Sequence, residues 1–115
     1  MTERWLLHLM TPEQHRRATG RGVVEPGPGG FVHLSTPAQV PIPANLFFVD
    51  EAELTLAWFH DVDLAPHVVW EEGDPPSPGV LFPHLYAMLK MSASQHTMTY
   101  RRDEAGVFVE PSPPV

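Results

Sequence analysis

The chain has 115 residues, of which 43% are hydrophobic, a formal charge of −7 and no cysteine. That length holds one core and not two, the apolar fraction is too high for a disordered chain, and an acidic balance with one lysine (Lys90) beside six arginines offers no basic patch to the phosphates of nucleic acid. A disulfide framework, a cysteine-ligated zinc site and a thiol nucleophile are all excluded.

The opening stretch MTERWLLHLM is too short and too charged for a signal peptide, and no apolar run approaches the roughly 20 residues of a membrane span. A cytoplasmic protein is expected. Residues 5–10, WLLHLM, read as a first strand. TPEQHRRATG then carries helix signals: Thr11 as N-cap, Pro12 at the first helical position, Gln14 closing a capping box and Gly20 as the stop. GVVEPGPGG is a short extended piece running into a loop, and FVHLS (31–35) is a second strand. Thr36 and Pro37 open another helix that Pro41 and Pro43 interrupt, so TPAQVPIPANLFF is expected as two short helical turns. ELTLAWFHD (53–61) reads as a central strand and HVVWEE (67–72) as another. GDPPSPG (73–79) is a stiff surface loop, and FPHLYAML (82–89) is a further extended segment. TMTYRR and VFVE are expected to pair as a terminal hairpin around DEAG, followed by a flexible tail at about 111–115. Fourteen prolines and eight glycines work against long helices. The sum is an α+β fold over residues 1–115, a mostly antiparallel sheet with two short helices.

Successive strand residues face opposite sides. Leu6 and His8 therefore lie opposite Trp5, Leu7 and Leu9, while Phe31, His33 and Ser35 lie opposite Val32 and Leu34. Phe82, His84 and Tyr86 likewise lie opposite Pro83 and Leu85, and Val69 shares a side with Glu71. Three strands each carry an imidazole in an otherwise apolar surface, and if those faces meet they line one cleft. Each residue alone has a simpler role. A strand histidine is usually a hydrogen-bonded structural residue, Ser35 and Thr36 before a proline are helix caps, Tyr86 is core, and Glu71 with Glu72 is a solvated rim. Arg16, Arg17 and Arg21 read as a solvated face rather than a phosphate clamp.

Three chemistries use the set. A metal could take His8, His33, His84 and a carboxylate, although no HxH or HxxxH spacing supports it. A serine nucleophile would need an elbow of the GxSxG kind, which is absent. A nucleotide-sugar cleft would use imidazoles and hydroxyls on ribose and amide groups, an aromatic on a ring, and a glutamate against a cationic sugar transition state.

LLHLMT, GFVHLSTPAQV, ANLFF, VVWEE and LFPHLYAML, in that order over nearly the whole chain, resemble the small bacterial family called domain of unknown function nine-fifty-two, itself similar in fold to ADP-ribosyltransferases. The resemblance implies an ADP-ribosylation-type fold with a split sheet and NAD as the possible cofactor. It also implies roles: His8 and Glu71 as catalytic residues, one holding the NAD ribose and the other aiding cleavage of the glycosidic bond. His33, Ser35, Thr36, His84 and Tyr86 become cofactor-binding residues, with Tyr86 stacking on nicotinamide, and Arg21 is a candidate cation for pyrophosphate. The expected partner is a small-molecule or nucleotide ligand, with no nucleic acid, no membrane and no assigned metal. ADP-ribosyl transfer, a noncatalytic ligand-binding or regulatory module, with a homodimer among its forms, and a metal-dependent hydrolase remain open.

Overall fold

The computed structural model describes residues 4–76 and 78–114. Residues 1–3, Ser77 in the expected GDPPSPG loop and Val115 at the end of the expected tail lie outside the described residues. The elements in chain order are β1 (Trp5–Met10), α1 (Pro12–Arg21), β2 (Val23–Val24), β3 (Val32–His33), α2 (Pro41–Phe47), β4 (Glu53–His60), α3 (Asp61–Leu64), β5 (Val68–Glu72), β6 (Leu81–Leu85), β7 (Leu89–Lys90) and β8 (His96–Arg101). The strands form three antiparallel sheets, ordered β1-β4-β8, β2-β7 and β3-β6-β5. Among the described residues the fold is thus a mixed α+β arrangement with three short α-helices, one more than expected; the extra one is the single turn DVDL after β4.

The FVHLS segment joins two of these sheets. Leu34 N–H donates to Pro83 O on β6 at 3.1 Å, and one residue later Ser35 exchanges two backbone bonds with Leu7 of β1, at 2.8 and 2.9 Å. The expected five-residue strand is therefore regular only at Val32 and His33, because its end leaves one sheet for the edge of another. FPHLYAML divides in a similar way: β6 ends at Leu85, the chain bends at Tyr86 and Ala87, and β7 pairs with β2 instead.

Thr11 Oγ1 accepts from Gln14 N–H at 3.1 Å and Gln14 Oε1 accepts from Thr11 N–H at 2.9 Å, the reciprocal capping box read from the sequence. Helix α1 stops at Gly22 rather than Gly20. Gly22 takes the left-handed conformation (φ +78°) and donates its N–H to Ala18 O at 2.7 Å, while its carbonyl accepts from Met91 N–H at 2.9 Å. In α2 the prolines begin the helix instead of breaking it. Pro41 and Pro43 sit in its first turn, where the backbone N–H groups have no intrahelical partner to lose.

Both faces of β4 are covered, which explains its near-continuous apolar run. On one side Leu6, Met10, Ala57 and Phe59 pack with Ala18 of α1 and with Val32, Leu34 and Leu85. On the other, Leu7, Leu54, Leu56 and Trp58 pack with Ala44 of α2, Tyr100 and Phe108. Phe108 comes from the segment expected to form a hairpin with β8. No such ladder exists among the described residues. Asp103 Oδ1 accepts from Ala105 N–H and Val107 N–H at 3.0 and 2.9 Å, closing a turn. Asn45 then holds the backbone of Phe108 from both sides, at 2.8 and 3.0 Å. Burying the phenyl ring outweighs continuing the ladder. Among the described residues, no helix is long and apolar enough to cross a membrane.

Candidate functional site

The register of β3-β6-β5 sets His33 beside His84, with Val69 on the far side and Glu71 opposite Phe82. The two imidazoles meet edge to face, centroids 5.3 Å apart. Phe31 stacks on His84 at 4.0 Å with ring planes 15° apart. The glycine-rich loop makes this possible: Gly29 and Gly30 both hold positive φ, and a Cβ on Gly29 would lie 2.7 Å from the Phe31 ring.

Glu71 Oε1 accepts two hydrogen bonds, from the Tyr86 hydroxyl at 2.6 Å and from His84 Nδ1 at 2.8 Å. The Tyr86 bond, followed by the His84 bond, holds the Glu71 carboxyl below its ordinary range; the same contact pushes the Tyr86 hydroxyl up. An ionised carboxylate only accepts, so His84 Nδ1 is the donor in this bond and carries a proton. The ring is buried, 4% exposed, and among the described residues its Nε2 has no hydrogen-bond partner.

His8 reaches the group from β1. Its Nδ1 donates to the carbonyl of His33 at 2.9 Å. Burial lowers its pKa, outweighing the backbone bond that favours the charged form. Burial also lowers that of His33, with the neighbouring His84 imidazole adding to the effect.

A cavity of about 670 Å³ opens beside these rings, between α1, α2 and the loop from β5 to β6. His8, His33, Ser35 and His84 line one side of it. Gln14, Arg17 and Arg21 of α1 form a second wall, and Ile42, Pro43, Leu46 and Phe47 of α2 a third. Leu46 and Phe47 are 49% and 60% exposed, an apolar surface that α2 leaves unburied beside the opening. Among the described residues, Arg17 and Arg21 make long, exposed ion pairs with Glu13 and Glu25, at 3.7 and 3.9 Å. Such pairs hold their guanidinium groups weakly.

The sequence-based site residues thus separate. His8, His33, Ser35 and His84 converge on the cavity. Glu71 and Tyr86 join His84 but are not among the cavity-lining residues. Thr36 is in neither group: its N–H donates to Gln39 Oε1 at 3.0 Å and it serves the turn before α2. Two contributions go beyond the sequence reading. Arg17, read only as a solvated face, lines the cavity beside Arg21, the candidate cation for pyrophosphate, and their four-residue spacing on one helix face is the available signal. Phe31 was placed on the correct face but not as the ring covering His84. No cluster of three or more His, Asp or Glu among the described residues is arranged to hold a metal ion, which removes the support for the four-ligand arrangement considered from the sequence.

The family model described as "Protein of unknown function (DUF952)" matches residues 8–96. The chain is similar to the crystal structure of protein CC0527 from Caulobacter crescentus, with a TM-score of 0.78 and 26% identity over 90% of this chain and 92% of that one. It is also similar to the solution NMR structure of CC0527, with a TM-score of 0.73 and 27% identity over 93% and 91% of the two chains. No curated protein matches.

Proposed function

We propose a ligand-binding function for this chain, which belongs to the DUF952 family: it binds NAD or a related nucleotide sugar in the cavity between α1 and α2. The observation that carries this reading is the chemistry of the three walls. Arg17 and Arg21, one turn apart on α1, suit a pyrophosphate. Leu46 and Phe47 offer an apolar surface to a base, and the imidazoles with Ser35 offer hydrogen-bonding groups to ribose hydroxyls. The volume of about 670 Å³ lies within the range of small-ligand sites.

The split antiparallel sheet supports the resemblance to ADP-ribosyltransferases, from which the choice of NAD comes. Binding without glycosidic cleavage is favoured by the position of Glu71. Its carboxylate is engaged by Tyr86 and His84 and does not line the cavity, whereas a group aiding cleavage must come within hydrogen-bond reach of the reacting atoms.

Calorimetric titration with NAD and ADP-ribose tests the reading. Both ligands are expected to bind, and the double variant Arg17→Ala/Arg21→Ala is expected to weaken each by at least about tenfold, the effect of losing about 1.4 kcal/mol of charged contact. Absence of heat with either ligand at millimolar concentration would sink the proposal. Release of nicotinamide from NAD, abolished by Glu71→Gln, would replace binding with ADP-ribosyl transfer.

A further inference from the structure

We infer that His84 Nε2 is the hydrogen-bond acceptor that anchors the ligand of this cavity, and that the site therefore selects ligands presenting an N–H or O–H donor. The inference rests on the cavity being a binding site, and it adds the contact and chemical class that decide which ligands stay.

Three observations carry it. His84 lines the cavity, yet its Nε2 is buried and has no partner among the described residues. Leaving a buried polar atom unpaired is unfavourable, and native proteins keep few such atoms without a reason. Second, the ring cannot turn to find a partner within the protein. Nδ1 is committed to Glu71 at 2.8 Å, Glu71 is held in turn by Tyr86 at 2.6 Å, and Phe31 covers the ring face at 4.0 Å. Third, the bond to Glu71 keeps a proton on Nδ1, so that a ring carrying a single proton holds a lone pair and no hydrogen at Nε2.

A neutral imidazole fixed in this way accepts and does not donate. It rewards an amide, amino or hydroxyl hydrogen and gives nothing to a carboxylate oxygen or an alkylated nitrogen. Because Nε2 has no free surface in the unliganded chain, a neighbouring side chain turns aside when the donor arrives. His33, exposed and edge-on to His84, is a neighbour of the ring that also lines the cavity.

The test uses protein labelled with nitrogen-15 in its histidines, and nicotinamide and N,N-dimethylnicotinamide as probes that share a ring and differ in amide hydrogens. NMR of the free protein at neutral pH should show the His84 proton on Nδ1 and none on Nε2, with the resonances assigned by their loss in His84→Asn. That variant keeps a donor toward Glu71 and deletes Nε2. Nicotinamide should move the Nε2 resonance, bind about tenfold more tightly to wild type than to His84→Asn, and outcompete its dimethyl analogue in wild type alone.

A proton on Nε2, or a charged ring at neutral pH, overturns the inference whatever binds. If NAD or ADP-ribose binds in calorimetry but nicotinamide leaves Nε2 unmoved and binds His84→Asn equally well, the cavity reading stands and this inference falls. If no probe binds, both fall.

Discussion

The two larger sheets of the molecule are built to different rules. In β1-β4-β8 each neighbouring pair of strands aligns six residues, and β4 is covered on both faces by apolar side chains. In β3-β6-β5 the pairs align two and five residues, and one face carries His33, His84 and Glu71. The first sheet is held by area removed from water, which is large and tolerant of detail. The second is held in part by hydrogen bonds between specific atoms, which contribute less but fix the orientation of each ring. Position and chemistry are thereby divided: one sheet makes the frame, and the other aims the groups.

The most disruptive change should fall in the frame. Phe108 is fully buried against Tyr100, with ring centroids 4.9 Å apart, and carries the Arg102 guanidinium over its face at 4.2 Å. Phe108→Ala should remove about 3–5 kcal/mol of stability, the usual range for a buried aromatic truncated to alanine. Urea denaturation reads this directly. A loss below about 1 kcal/mol would mean that residues 107–110 are an appendage and that the frame ends at β8.

A smaller effect belongs to Tyr100 in the same core. Burial pushes its hydroxyl up to about 12 from an ordinary value of 10.0, and the group donates to Val109 O. The folded state thus releases this proton at a higher pH than the unfolded state. The contribution is fully present below pH 10.0 and is lost as pH rises toward about 12. Tyr100→Phe should cost the hydrogen bond at neutral pH, about 0.5–1.5 kcal/mol, while flattening the alkaline limb of the stability profile. An alkaline limb identical in wild type and variant would place the titrating group elsewhere.

Sequence patterning reads the frame better than the site, for physical reasons. Alternation in WLLHLM and the unbroken run in ELTLAWFH report burial, a local consequence of side-chain direction, and both strands lie where that pattern puts them. The same alternation sets His33, His84 and Glu71 each on one side of its own strand, and the pairing of β3, β6 and β5 brings those sides onto one face. What it cannot convey is which neighbour each polar atom chooses. Glu71 turns to Tyr86 and His84 rather than lining the cavity, a choice set by the bend after Leu85 and by pairing across β5 and β6. Phe108 is misread for the converse reason. VFVE alternates like a strand, but the turn closed by Asp103 and the bonds from Asn45, 63 residues away, place it against α2.

The smallest effect, and the sharpest on the division between frame and aim, is Glu71→Gln. Hydrogen bonds from Tyr86 and His84 hold this carboxyl below its ordinary value of 4.5, so the unfolded chain takes up the proton first as pH falls. The contribution to stability is present above pH 4.5 and disappears as pH drops through the lower folded value. The side chain is 37% exposed, so solvent screens the effect and the acid limb should shift only slightly in the variant. Neutral-pH stability should barely move. The tautomer should respond more strongly, because a neutral amide can present either its oxygen or its NH2 group to His84 Nδ1 and no longer dictates which ring nitrogen carries the proton. Nitrogen-15 NMR should therefore show a mixed His84 tautomer in a chain that unfolds almost as wild type does. If Glu71→Gln instead lowers stability on the scale of Phe108→Ala, the polar network belongs to the frame and the division between the two sheets is wrong.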